Sequence, residues 1–461
     1  MPMQGAGPNR FEALLASGPP AAGRFAAASA RARAAVPAAT PHEAALRDVA
    51  AGVAVPLLAG YTAWLLLDAE RRGIRRLYFL ARDGQVLLEI ARRLAPRLGL
   101  VIECRYLYAS RQAWLRSVAD LQATDAGHWL WWGVWQGFVP GESTLQNLKR
   151  RLGVSGDDLD AGLAALGFSP ETHDRPLMPT EVARLEAFFR TDGFAAALAR
   201  SRAANRRLLR DYLAQEGLFD GTLAAMVDIG WAGNLHAALA EAQTAEGVVP
   251  AHGYYFGYNQ KRLAAWREAC SRFQYDFADG PDPALKPGFK QELVEIYIEI
   301  FCAADHGTLT GFRAEGGRVV PEIAPGGEAR MHAWGLPVVR RTLAAVADGL
   351  DVDGLDLAAT LALRAPIRDL LEAFWLHPTA EEAHAWGAFP VEIGEGHGSR
   401  AVPLAEPYRP ADLAPLVTGR ARLRKHLYFW TEGALAMTPR PLAATLQALR
   451  AARGRRAGQD G

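Results

Sequence analysis

Two stretches of this chain repeat the same pattern, and that repetition limits the folds open to it. In Arg75 to Leu94 an apolar run, Leu77 to Leu80, stops at Arg82-Asp83-Gly84; Val86, Leu87, Ile90, Ala91 and Leu94 then recur at helical spacing. In the second stretch the apolar run Leu223 to Val227 meets Asp228-Ile229-Gly230-Trp231-Ala232-Gly233-Asn234, and Leu235 and Leu239 open another helical pattern. A strand that feeds a helix through a glycine turn leaves backbone N–H groups at the helix start, where an anion can bind. Between the two turns Tyr106 to Ala109 reads as a strand ending at Ser110-Arg111, and after them Gly253 to Gly257 reads as one more. Four short strands with polar residues at their ends, separated by helices, predict a mostly parallel α/β sheet of Rossmann-like type. In such sheets ligands sit at the carboxyl ends of the strands, so the expected site is the rim carrying Asp83, Ser110 and Asp228.

Half of the 461 residues are apolar, enough to bury a sizeable core, and the length allows two or three domains. The formal net charge of +1 gives no electrostatic reason to expect nucleic acid or an anionic membrane as partner. Cys104, Cys270 and Cys302 have no paired spacing, which excludes a zinc ribbon or disulfide framework and fits a reducing, cytoplasmic compartment. No secretory signal is visible at the N-terminus. Val49 to Leu67 carries no charge over a length that could span a membrane. Pro56 within it, and Asp68, Glu70, Arg71 and Arg72 directly after it, favour a buried core helix kinked near Pro56, with no membrane span.

The expected organisation runs as follows. Residues 1–43, rich in Ala and Pro, with Pro19-Pro20, Pro37 and Pro41 read as helix breakers, are expected as a disordered tail; 44–125 form the first half of the sheet domain, 126–190 a helical insertion rich in Trp, and 191–260 the second half of the sheet. Residues 261–448 read as a mainly helical region and 449–461 as a second disordered tail. In the insertion, Trp129, Trp131, Trp132 and Trp135 could stack sugar or base rings or simply anchor a small domain. Asp157, Asp158 and Asp160 lack the later glutamate of a calcium loop and read as a helix start. Phe188 to Leu213 is expected as one long helix with Arg200, Arg202, Arg206, Arg207 and Arg210 mostly on a solvated face. Gln291 to Cys302 is expected to be helical, with Glu292, Glu295 and Glu299 aligned on one face, toward a site or toward water. Asp305-His306-Gly307 then makes a polar turn, and residues 308–323 a hairpin across Gly316-Gly317.

The segments PLLAGYTAWLLLDAERRGIRRLYFLARDGQVLLEIARRL, YLYASRQAW, MVDIGWAGNLHAAL and HGYYFG, with EIFCAADHGTLTGF and YFWTEGAL further on, resemble the carboxyl-terminal region of haloacid-dehalogenase-like (HAD-like) hydrolases that accompany bacterial surface polysaccharide assembly. The resemblance covers residues 44 to about 435 and is most specific at FLARDG and VDIGWAG. It implies a phosphate-binding sheet, Mg2+ as cofactor with Asp228 as one metal ligand, and a glycosyltransferase as partner. A phosphatase of this kind needs Asp-x-Asp at the end of the first strand, the first Asp to attack phosphorus and the second to protonate the leaving group. Matching Asp83-Gly84 to the second Asp and its glycine puts Ala81 at the nucleophile position, so the aspartyl-phosphate cannot form there. Ser110 matches the phosphate-gripping hydroxyl of the second motif.

The same turns resemble those of type I phosphoribosyltransferases. There Arg82-Asp83-Gly84 corresponds to the diphosphate loop, and Asp228 to Asn234, including Gly230, Trp231 and Gly233, to the ribose-phosphate loop. Arg82 or Arg111 would neutralise the diphosphate while Asp228 held ribose hydroxyls. One acidic residue stands where two are usual, and Trp231 is bulky for a phosphate loop. A third reading is a scaffold without activity. The expected catalytic candidates are Asp83 and Asp228, the expected ligand contacts Arg82, Gly84, Ser110, Arg111, Gly230, Trp231, Gly233 and Asn234, and the ligand a phosphorylated sugar or nucleotide sugar.

Overall fold

A computed structural model of the 461-residue chain describes residues 7–118, 144–152, 157–231, 233–257, 271–276, 294–393, 400–412 and 429–457. Its centre is a sheet of five parallel strands: β1 (Arg76–Leu80), β2 (Glu103–Leu107), β3 (Ala224–Asp228), β4 (His252–Tyr255) and β5 (Arg272–Gln274), in the order β2-β1-β3-β4-β5. The four strands expected from the sequence lie in this one sheet. The fifth falls beyond residue 260, where a helical region was expected; three residues are too short a run to carry a readable alternation.

Helices cover both faces, as a parallel sheet requires. The alternation along β1 decides which residue serves which face. Leu77 and Phe79 join a core with α3 (Pro41–Val49), α4 (Val55–Arg71) and α5 (Gly84–Arg97), whereas Tyr78 and Leu80 pack on the opposite side against α6 (Arg111–Val118) and helices further along. Register pairs Phe79 with Tyr106 on one flank and Val227 on the other, so the two turns seen in the sequence emerge from neighbouring strands.

The apolar run at 49–67 belongs to one continuous helix, Pro41–Arg71, whose most apolar window is fully buried. Between α3 and α4 the helix widens into a π turn, Ala50–Ala54, directly before Pro56. A proline ring crowds the carbonyl four residues earlier, here that of Gly52, and the wider turn provides the room. Gly52 is also where the N-terminal segment packs: a Cβ there would lie 2.6 Å from Phe11 Cβ.

That contact corrects the expectation of a disordered tail over 1–43. α1 (Arg10–Ala16) is capped by Asn9 in a reciprocal box with Glu12, α2 (Pro20–Ala35) starts on Pro20, and Phe11, Leu15 and Phe25 are buried. Pro20 and Pro41 stand at helix starts, where the missing N–H costs nothing, Pro37 lies in the connection between α2 and α3, and the alanines of α2 favour helix. The C-terminal end is corrected likewise, since a helix runs from Arg440 to Ala457 through most of the expected second tail.

In the insertion, α7 (Leu145–Leu152), α8 (Asp157–Ala165), α9 (Pro179–Phe189) and the first half of α10 (Asp192–Gln215) share a separate core of Leu148, Leu163, Leu185, Phe189, Phe194 and neighbours. The expected single helix over 188–213 is two helices, because the Thr191 side chain caps a new start by accepting from the Phe194 N–H. The second half of α10 returns to the sheet through Leu209, Tyr212 and Leu213. α11 (Asn234–Ala245) follows β3 and packs beside it. The tryptophan cluster at 129–135 lies outside the described residues.

Candidate functional site

The strand order fixes where a crevice must open. From β1 the chain crosses through α5 to β2 on one flank, then returns after the insertion to β3 on the other flank. Connections that leave in opposite directions part at the carboxyl ends of β1 and β3, the topological switch point at which open α/β sheets hold their ligands. The turn 82–84 and the described residues of the second turn, 228–231 and 233–234, face each other there.

Close backbone approaches shape both turns. A Cβ on Gly84 would lie 2.6 Å from the Phe79 carbonyl carbon, and one on Gly230 would lie 2.5 Å from the Gly257 carbonyl oxygen. Gly233 adopts φ 68°, a left-handed conformation that suits glycine, and leads into α11. The peptide bonds Ala81–Arg82 and Gly230–Trp231 are both cis. Asp83 precedes α5 and Gly233 precedes α11 without a side-chain cap on either helix, although the Gln85 N–H of α5 donates back to the Arg82 carbonyl at 3.0 Å, so two helix starts without side-chain caps flank the same crevice.

Asp83 and Asp228 come together as expected. Both are half-buried, and among the described residues Asp83 has no hydrogen-bond partner. Burial raises the Asp83 pKa, with Arg82 opposing. Burial pushes Asp228 up to about 8, the neighbouring charge of Asp83 adds to the rise, and the Ile229 and Gly230 N–H groups oppose it. The Tyr61 hydroxyl fixes the strand end from below by donating to the Asp228 carbonyl at 2.9 Å. Arg82 and Arg111 are exposed.

A third carboxyl joins them from α12 (Val294–Glu299). The Trp231 indole N–H donates to Glu299 Oε1 at 3.1 Å, and the ring of Trp231 is itself buried against Gly257. The Glu299 pKa is raised, first by burial and then by the charges of Asp83, Glu295 and Asp228. Glu299 nevertheless keeps open surface, so these carboxyls line a recess that water reaches but protein surrounds. The helical spacing of Glu292, Glu295 and Glu299 marked a polar face without showing what it met; Glu292 lies outside the described residues.

Ser110 stands one strand farther away, and its hydroxyl is already engaged. It donates to the Leu309 carbonyl at 2.8 Å and accepts from the Ala113 N–H at 2.9 Å, which makes it the cap of α6 rather than a group free to hold phosphate. Beside it the Tyr106 hydroxyl and His306 Nε2 are 2.7 Å apart, while His306 Nδ1 donates to the Gly307 carbonyl at 2.8 Å. In the neutral ring Nε2 therefore accepts from Tyr106. Neither Trp231 as a hydrogen-bond donor nor His306 as a rim residue could be read from spacing, since both act on partners tens of residues away.

The resemblance implies Mg2+ on Asp228, whose carboxyl lies beside that of Asp83. Among the described residues no group of three His, Cys, Asp or Glu side chains is placed to hold a metal ion. Cys302, buried behind the recess, has its thiol pKa raised by burial and then by the charges of Asp83 and Glu299, opposite to what a nucleophile needs. In comparisons with known proteins, no protein-family model and no curated protein matches the chain.

Proposed function

We propose that this chain binds a phosphorylated sugar or nucleotide sugar in the crevice between β1 and β3, on an HAD-like core that lacks the phosphatase nucleophile. The observation carrying this reading is the meeting of two uncapped helix starts at the switch point of a parallel sheet. Arg82 supplies positive charge beside them for phosphate pairing. Asp228, with its pKa near 8, holds its proton at neutral pH and so meets an anion without full charge repulsion. Its carboxyl can both donate to and accept from sugar hydroxyls. Ala81, at the end of β1, offers no nucleophile. The setting in surface polysaccharide synthesis, beside a glycosyltransferase, and the cytoplasmic location rest on the resemblance and on cysteine usage.

Phosphoribosyl transfer is the second reading. The adjacency of the 82–84 and 228–234 turns favours it, because that chemistry needs a diphosphate loop and a ribose-phosphate loop side by side. A thermal-shift screen with sugar phosphates, nucleotide sugars and phosphoribosyl pyrophosphate, each with and without magnesium, tests both. Stabilisation by several sugar phosphates is expected; stabilisation by phosphoribosyl pyrophosphate alone promotes the transferase, and none at all leaves a scaffold.

A further inference from the structure

The segment from Val294 to Leu309 crosses the carboxyl rim of the sheet and is tied to the ends of β3, β1 and β2 in turn. Glu299 meets Trp231 after β3. Asp305 meets Gln85 after β1 twice, its Oδ1 accepting from the Gln85 side-chain amide at 2.5 Å and its N–H donating to Gln85 Oε1 at 3.0 Å. The Arg340 guanidinium also donates to Gln85 Oε1. His306 meets Tyr106 on β2, and the Leu309 carbonyl accepts from Ser110 after β2. Three strand ends fastened to one strand-crossing segment make that segment the roof of the crevice. Its one carboxyl beside Asp228 is Glu299.

We infer that Glu299 reads the hydroxyl groups of the bound sugar together with Asp228, so that this roof residue sets specificity for a ligand with a vicinal diol. The inference rests on the sugar-phosphate reading above. Among the described residues Glu299 has Trp231 as its sole hydrogen-bond partner, through Oε1, which leaves Oε2 for a ligand. The indole contact, on a ring wedged against Gly257, holds the carboxyl at a fixed angle. Two carboxyls from opposite walls can each take one of two adjacent hydroxyls, which relieves Asp228, already accepting from the Ile229 and Gly230 N–H groups, of holding both. The turn 228–234 carries a single acidic residue, and α12 supplies the second from 71 positions downstream. A site built to hydrogen-bond a hydroxyl rejects the analogue that lacks it, because the protein group is then left unpaired.

Calorimetric titration with ribose 5-phosphate, 2-deoxyribose 5-phosphate and inorganic pyrophosphate tests this on the full chain. The intact protein should prefer ribose 5-phosphate over its deoxy analogue by at least about tenfold, a difference of about 1.4 kcal/mol. Glu299→Gln should lower that ratio to within about threefold while pyrophosphate still binds. Trp231→Phe, which keeps a ring but removes the donor, should give an intermediate ratio; together the two variants separate ligand reading from folding, which the pyrophosphate titration monitors. An unchanged ratio in Glu299→Gln overturns the role of Glu299 and leaves the sugar-phosphate reading standing. Absence of binding by any sugar phosphate to the intact protein overturns the reading and this inference with it.

Discussion

Asp228 shows at the scale of one residue how a site is bought with stability. Its folded-state pKa of about 8 lies far above the ordinary value of 3.8, so the unfolded chain gives up this proton first. The group costs nothing below about pH 4, and the cost grows as pH rises until the folded-state value is passed. Asp228→Asn should therefore stabilise the protein at pH 8 by on the order of 3–5 kcal/mol after solvent screening, a few degrees in melting temperature, and by almost nothing at about pH 3. Thermal melts at the two pH values check this; equal shifts at both would mean that the gain is not electrostatic. The same variant should weaken sugar-phosphate binding. Arg82→Ala should weaken it as well, by about 1.5–3 kcal/mol, the worth of a charge-assisted contact, measured by the same titration. Asp83 and Asp228 were legible in the sequence because Asp228 directly follows an apolar run and Asp83 comes just after another, at Arg82-Asp83-Gly84. Glu299 was legible only as part of a polar helical face, since the indole that fixes it lies 68 residues earlier in the chain.

The N-terminal pair of helices matters most at the scale of elements. α1 and α2 read as a disordered tail from composition, yet Phe11 is 1% exposed and lies across Gly52 at the π turn that accommodates Pro56. Phe11→Ala should cost about 3–5 kcal/mol, the range for emptying a buried aromatic site, as measured by denaturant unfolding. A loss within experimental error would return these helices to the status of a tail. Sequence pattern served the four longer strands well, because turn residues bounded their apolar runs. It failed where proline was weighed only as a breaker, at Pro20 and Pro41, and where an element was as short as β5. It also took 188–213 as one helix, because helical spacing continues across the Thr191 cap.

For the whole molecule, the helix from Pro41 to Arg71 is apolar and long enough to cross a membrane by composition, but its partners are the chain's own core. The expressed protein should fractionate without detergent; recovery only in detergent would recast this helix as an anchor. With Ala81 at the strand end, magnesium-dependent hydrolysis of phosphomonoesters should be negligible, and turnover abolished by Asp83→Ala would contradict the matching of Ala81 to the nucleophile. The central claim is that the ligand lies where β1 and β3 part, between the two helix starts and beneath the roof formed by 294–309. Amide hydrogen exchange with and without saturating ribose 5-phosphate tests it most directly. New protection should be confined to residues 82–88, 229–237 and the roof; protection elsewhere, with these three segments unchanged, would place the ligand at another site.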